Sequence, residues 1–254
     1  MPDDRYFIEA LHRGMRVLEA FTEEKSSLSL VQIAADVELD KSTAFRFVHT
    51  LHELGYLQRD EDSKRYRPGL KLLELGFAAL QSLDLARIAT ADLTELARQT
   101  GEAVNMALRD GLELVYVTHI GSAQVVAINM RLGARLPLHC SSMGKAHLLD
   151  LSREAIRELL GPGPYEARTA HTLTSLDALW ADLEVGRRRG YTVSDEEAVV
   201  GVRSLGAPIR NRDDEIVAAL NVSVSSARYS QQEMEERFAR SVVETAGRIS
   251  RVAL

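Results

Sequence analysis

The chain has 254 residues, 45% hydrophobic and 27% charged, the balance of a globular protein, which excludes a disordered or collagen-like one. A formal net charge of −6 excludes a surface that grips nucleic acid everywhere, though not a local basic footprint, because phosphate attraction is screened within about 8–10 Å. One cysteine, Cys140, excludes an intrachain disulfide; with no apolar run near the ~20 residues that span a bilayer and an acidic, polar start (M-P-D-D-R-Y) unlike a secretory leader, a cytoplasmic location is expected.

Residues 8–69 read as one domain. Leu11, Met15, Leu18 and Phe21 share one helical face. The segment S-L-V-Q-I-A-A-D follows, with Ser29 and Gln32 spaced as a capping box and Leu30, Ile33 and Ala34 pointing inward. Asp40 is placed to cap a third helix whose buried stripe is Ala44, Phe47, Val48, Leu51 and Leu54, ended by Gly55. Its other face carries Lys41, Ser42, Thr43, Arg46 and His49, donors at the start of a helix, where a helix enters the major groove. The stretch Y-L-Q-R-D-E-D-S-K-R-Y-R-P alternates as a hairpin, decorated by Arg59, Lys64, Arg65 and Arg67. That order of elements predicts a winged helix-turn-helix. Arg46 suits a base edge or a phosphate, Ser42 and Thr43 suit phosphates or base edges, and Arg65 and Arg67 suit the backbone or minor groove. Charge adds little: residues 41–67 hold six Lys/Arg against four Asp/Glu.

Residues 70–84 read as a linker helix with an interruption near Ser82–Asp84. Leu70, Leu73, Leu75, Phe77 and Leu80 exceed one narrow stripe, and a helix apolar on more than one side wants more than one partner. A second copy of the chain is the expected one, since helix-turn-helix proteins bind paired half-sites.

Residues 85–254 read as a second domain. N-M-A-L-R-D-G-L-E-L-V-Y-V predicts two strands turning near Arg109–Gly111, and A-Q-V-V-A-I-N-M predicts a third. L-H-C-S-S-M-G-K-A-H runs from loop into helix, Ser152 and Thr174 suit helix starts, and three further strands follow, with R-N-R-D-D-E turning between the last two. Ser230 and Glu233 form another capping box before the final helix. The class is α+β: an antiparallel sheet with flanking helices. Polar residues where a core strand favours apolar ones mark a pocket for a small carboxylate: Asn129, Ser204, and Asn221 with Ser223, which alternate onto one face. Ser141 and Ser142 lie where a loop enters a helix, whose free N–H groups favour an anion.

No nucleophile elbow, H-E-x-x-H or phosphate-binding loop is present, so no catalytic residue, cofactor or enzymatic activity is expected. His139 and Cys140 are adjacent and face opposite ways when extended. A metal near His119, His139 or His147 has no second ligand at a convincing spacing and is not expected.

The segments A-L-x-R-G-M-R-V-L-E-A-F, L-D-K-S-T-A-F-R-F-V-H-T-L-H-E-L-G-Y-L, R-L-G-A-R-L-P-L-H-C-S-S-M-G-K-A, D-E-E-A-V-V-G-V-R-S-L-G-A-P-I and A-A-L-N-V-S-V together resemble the IclR family of bacterial transcriptional regulators, from about Tyr6 to Arg251. The resemblance implies a dimer, or dimer of dimers, on palindromic operator DNA, and a GAF-like effector-binding domain. It points to the branch controlling aromatic-acid catabolism, such as the protocatechuate and beta-ketoadipate pathways. The family's pocket positions correspond here to Ser142, Met143, Ser194, Val202, Ser204, Asn221 and Ser223. Ser194 replaces an aspartate of some relatives, Ser204 a cysteine and Asn221 a serine, which argues against glyoxylate or pyruvate. An aromatic acid fits: Met143 and Val202 pack on a flat apolar body, and Ser204, Asn221 and Ser223 bond a carboxylate or hydroxyl. Two rivals stay open: a constitutive repressor whose second domain only oligomerises, and an enzyme with an accessory nucleic-acid domain.

Overall fold

A computed structural model gives the structure of the protein and describes residues 6–22, 24–81, 83–122 and 131–253. Asn129 and the strand expected over A-Q-V-V-A-I-N-M lie outside the described residues. The chain divides into two compact units, the first to Ser82 and the second from Leu83.

The first unit holds α1 (Glu9–Glu19), α2 (Leu30–Asp36), α3 (Lys41–Glu53), β1 (Leu57–Arg59), β2 (Tyr66–Pro68) and α4 (Lys71–Gln81). The local signals act as the sequence suggests. Ser29 and Gln32 form the capping box of α2, and Asp40 caps α3 by accepting from Ser42 N and Thr43 N. Strands β1 and β2 pair antiparallel, and Leu28 bridges to Tyr66, which ties the hairpin to the segment before α2. Val17, Leu28, Ile33, Val37, Val48, Leu57 and Tyr66 make the core. Three expected core residues are not in it: Leu11, Met15 and Leu54 are 63%, 48% and 51% exposed. Val17 supplies the buried contact of α1 instead, because the inward face of that helix is rotated from the stripe its apolar spacing suggests.

The second unit begins with α5 (Asp84–Thr100), then β3 (Ala103–Asp110), β4 (Glu113–Ile120), β5 (Arg135–Pro137), α6 (Ser142–His147), α7 (Arg153–Leu160), α8 (Leu176–Arg189), β6 (Thr192–Asp195), β7 (Val202–Arg210), β8 (Ile216–Ser225) and α9 (Gln231–Ser250). Ser175, not Thr174, caps α8, with its side chain accepting from Ala178 N at 3.2 Å. Ser230 and Glu233 form the box that opens α9. The strands make one antiparallel sheet in the order β5-β4-β3-β8-β7-β6. Helices α5 and α9 pack together and on the sheet. Helices α6, α7 and α8 share a core with the sheet through Ala107, Tyr116, Met143, Ala146, Ile156, Leu179, Leu183 and Ala219. The class is α+β: a helix-turn-helix unit and an antiparallel sheet with helices on it. Among the described residues no helix is long and apolar enough to cross a membrane.

Two glycines set how closely α6 lies on the sheet. A Cβ on Gly206 would stand 2.9 Å from Ser142 C and 3.0 Å from Met143 N. A Cβ on Gly144 would stand 2.3 Å from Leu138 O. Only bare backbone permits either approach.

Candidate nucleic-acid interface and ligand site

Helix α3 presents Lys41, Ser42, Arg46 and His49 outward, with Thr43 half-buried. Lys41 and Arg46 lie on an exposed face, and among the described residues neither forms an ion pair. The N-cap carboxylate of Asp40 accepts Ser42 N and Thr43 N at 3.0 Å and Ser42 Oγ at 2.7 Å, and the Thr43 and Ser42 hydroxyls, followed by the two backbone N–H groups, hold its pKa well below the usual carboxylate range. The Ser42 hydroxyl proton is therefore committed within the helix start. His49 stacks on Phe45, with ring centroids 5.7 Å apart and planes at 9°. Phe45 is 48% exposed on this face, and the sequence reading missed it. Its signal was present, since Phe45 sits four residues before His49 and between Ser42 and Arg46.

In the hairpin, Arg59 lies over the Tyr66 ring and Arg67 is exposed. Lys64 pairs with Glu61 at 3.3 Å. Asp60 accepts Ser63 N and Oγ at 2.7 Å, which shapes the tip. Arg65 is held inside the unit, donating to Ser27 Oγ at 3.2 Å and to Ser27 O. These two bonds tie the hairpin to the segment before α2 and leave Arg65 Nη1 uninvolved in them.

In the second unit, strand register gathers the expected pocket residues. Thr192, Gly206, Asn221, Asn105 and His119 form one row across β6, β7, β8, β3 and β4. The next row on the same face is Ser194, Ser204, Ser223 and Ala103, and Val202 with Ser225 follows. Ser142 meets this floor from α6. Its Oγ is 2.7 Å from Ser204 Oγ and accepts from Asn221 Nδ2 at 3.3 Å. Thr192 Oγ1 donates to Ser142 O at 2.5 Å, and Ser194 Oγ donates to Cys140 O at 2.9 Å. Asn105 was not expected. Its Nδ2 donates to Asn221 Oδ1 at 2.8 Å and reaches Ser223 Oγ at 3.5 Å, and its Oδ1 lies 2.7 Å from His119 Nδ1. Ser142, Ser204, Asn221, Ser223 and Ser194 thus belong to one buried polar face. Ser141 stands apart as the cap of α6, accepting from Gly144 N at 3.1 Å. Met143 is buried in the apolar core with Tyr116 and Leu183.

A separate groove of about 480 Å³ opens beside β7 and α9, lined by Ala207, Pro208, Val243 and Gly247. It lies away from the serine rows. Its two guanidinium groups are already used, Arg187 by Leu149 O and Leu151 O, and Arg210 by Asp150. The polar face, by contrast, brings several hydroxyl and amide groups together in one place.

Between α6 and α8 lies a buried ionic cluster that the sequence did not reveal. Lys145 is fully buried, 2.7 Å from Glu197 and 2.8 Å from Asp182. Burial pushes the Glu197 carboxyl up to about 7 against the pull of Lys145. Thr169 and Thr172 hydroxyls donate to Glu196 O and Glu197 O at 2.7 Å and hold that loop in place.

Burial pushes the Cys140 thiol up to about 12, which keeps it protonated and poorly nucleophilic. His119, His139 and His147 bond to Asn105, Glu166 O and the Ala107 backbone respectively. Among the described residues no group of three or more His, Cys, Asp or Glu side chains could hold a metal.

Known proteins agree with this architecture. The model of the IclR helix-turn-helix domain matches residues 10–61, and that of the bacterial transcriptional regulator IclR C-terminal domain matches residues 77–251. The Pca regulon regulatory protein of Pseudomonas putida is 35% identical over 236 residues, 92% of this chain and 80% of that protein. A transcriptional regulator of Rhodococcus sp. RHA1 superposes with a TM-score of 0.85 at 31% identity, covering 96% of this chain and 98% of the other. An IclR homologue of Microbacterium hydrocarbonoxydans, solved with 4-hydroxybenzoate, has the same fold, with a TM-score of 0.81 at 24% identity over 96% of this chain and all of the other.

Proposed function

The chain belongs to the IclR family of bacterial transcriptional regulators, with a DNA-binding N-terminal unit and a ligand-binding C-terminal one, and on that premise we propose that an organic acid, aromatic in body, controls its hold on operator DNA. The observation that carries this reading is the convergence of Ser142, Ser204, Asn221 and Ser223, with Ser194 beside them, on one buried polar face. These positions coincide with those the family resemblance assigns to the pocket. Val202, half-buried in the third row, offers apolar surface at its rim. The Pca relative and the 4-hydroxybenzoate complex favour an aromatic acid as the first candidate. Lys41, Arg46, His49, Arg59, Lys64, Arg65 and Arg67 are the cations and donors for operator DNA in the cytoplasm, with Ser42 and Thr43 at the helix start. The homo-oligomer is supported by Leu73, Leu75 and Phe77 of α4, each more than half exposed on one short helix.

A ligand shifts an equilibrium only by its different affinity for the two states. Effector binding on the serine rows would therefore have to favour one setting of α6 and the sheet. The second reading is a constitutive repressor. It is favoured by one observation, that Ser142, Ser204, Asn105 and Asn221 largely satisfy one another. Thermal unfolding against a panel of aromatic and aliphatic acids separates the two. A midpoint that climbs with the concentration of one acid, together with changed operator affinity in that acid, supports control by ligand. A panel without any shift, and operator binding indifferent to every acid, supports the constitutive repressor.

A further inference from the structure

The hydrogen bonds across the floor have a direction. Asn105 gives its Nδ2 protons to Asn221 Oδ1, at 2.8 Å, and to Ser223 Oγ, at 3.5 Å, so its Oδ1 must accept. His119 Nδ1, 2.7 Å from that oxygen, is therefore the donor. Asn221, having accepted at Oδ1, donates from Nδ2 to Ser142 Oγ. Ser142 is fully buried, and among the described contacts its own proton has one acceptor, Ser204 Oγ at 2.7 Å. Each amide presents an acceptor at one end and donors at the other, so the polarity set at His119 passes through four residues without reversal. Ser204 and Ser223, in-register neighbours on β7 and β8, both receive a proton from the chain. Among the described residues each keeps its own hydroxyl proton uncommitted. Ser204, 8% exposed, is also the least buried of the polar residues that follow His119 in the chain.

The geometry points to Asn105 and His119 as positioning residues that orient the Ser204 and Ser223 hydroxyls as paired donors, so that the site selects a carboxylate over its neutral carboxamide. This rests on the ligand-binding reading of the polar face and adds to it a specificity and two residues outside the pocket positions the resemblance implies. A carboxylate offers two acceptor oxygens to two hydroxyl protons. A carboxamide of the same shape offers one acceptor oxygen and an NH2, which can take only the remaining lone pair of the second hydroxyl and leaves that hydroxyl's proton without an acceptor. Neither Asn105 nor His119 need touch the ligand, because their effect is carried by the proton order of the chain, which successive bonds polarise in the same sense.

The test uses the full-length protein and two ligand pairs of matched shape: 4-hydroxybenzoate with 4-hydroxybenzamide, and benzoate with benzamide. Titration calorimetry on the wild type is expected to favour the acid roughly tenfold or more, the consequence of one donor left unpaired by the amide. Asn105→Ala and His119→Phe should bring that ratio several-fold closer to one. His119→Gln, which keeps a donor toward Asn105, should preserve it. His119 is half-buried at the end of β4, so its two variants keep the question answerable if Asn105→Ala fails to fold. A purely structural role would weaken acid and amide alike and leave the ratio unchanged. That outcome, or a wild type that binds the amide as well as the acid, overturns the proposal and leaves ligand control standing. A wild type that binds neither acid overturns the proposal, and the wider panel of acids then decides the ligand reading.

Discussion

His147 links the pH of the solution to the packing of α6. It is 7% exposed, it bonds the backbone of Ala107, and its Nε2 is buried with no hydrogen-bond partner. Burial pushes its pKa down from 6.5 to about 4, opposed weakly by the Ala107 bond. The folded protein therefore keeps the ring neutral while the unfolded chain takes up a proton below 6.5. A depressed value of this kind gives stability that is whole above 6.5 and is lost as pH falls towards 4. The displacement corresponds to about 3 kcal/mol in full, of which about 2 kcal/mol is lost by pH 5. Glu197 acts in the opposite sense. Its raised value favours the fold at low pH, and that contribution disappears as pH rises from 4.5 to about 7. The wild-type curve mixes both, so the informative quantity is the difference between the wild type and His147→Gln. Trp180 is the one tryptophan and lies on α8, against the same core as α6, so its fluorescence reports this unit alone. Urea unfolding followed by Trp180 at pH 7.5 and pH 5.0 should show the wild type losing about 2 kcal/mol more than the variant over that interval. Equal losses in the two chains, within about 0.5 kcal/mol, would refute the assignment of a buried neutral imidazole.

Three further outcomes follow from the same contacts. Gly144→Ala places a methyl group against the Leu138 backbone and should lower the stability read by Trp180 by about 1–3 kcal/mol or more, with an unchanged midpoint counting against the close approach. Lys145→Met strands Glu197 and Asp182 without their cation and should cost about 3–5 kcal/mol in the same assay, while adding Glu197→Gln should restore part of it. Arg46→Ala should weaken binding to duplex DNA bearing the operator. A salt dependence shallower by about 0.9 in log–log slope would place Arg46 on a phosphate, and an unchanged slope with relaxed sequence preference would place it on a base edge. Unaltered affinity would remove Arg46 from the interface.

Local chemistry was the legible part of the sequence. The Ser29–Gln32 and Ser230–Glu233 boxes and the Asp40 cap each act within three residues, so spacing alone finds them. Periodicity did less well. It identified apolar faces on α1 and α3 but not how much of each is covered, and Leu11, Met15 and Leu54 are exposed although they fit the stripes. Charge was weaker still. Arg65 reads as a cation for a phosphate, and its spacing gives no sign that its guanidinium also donates to Ser27, 38 residues away. Sequence counts cations but cannot tell a free one from one already bonded.

The ligand site divides along the same line. Asn221 and Ser223 were legible because they alternate within one strand, and Ser142 because it opens a helix. Asn105 was not, because a single asparagine in a hydrophobic strand is uninformative until its partner is known, and that partner is 116 residues distant. Strand order makes the difference: β3 lies beside β8, so the first and last strands of the unit place Asn105 opposite Asn221. Gly206 is the other hidden element. In sequence it is one small residue in V-R-S-L-G-A-P-I, whereas in the fold its missing Cβ lets the start of α6 descend until Ser142 Oγ reaches both Ser204 and Asn221. A side chain there would press on the Ser142 and Met143 backbone and stretch the bond from Ser142 to Ser204, the last link of the chain from His119. The site thus depends as much on one absent methyl as on the polar groups that line it.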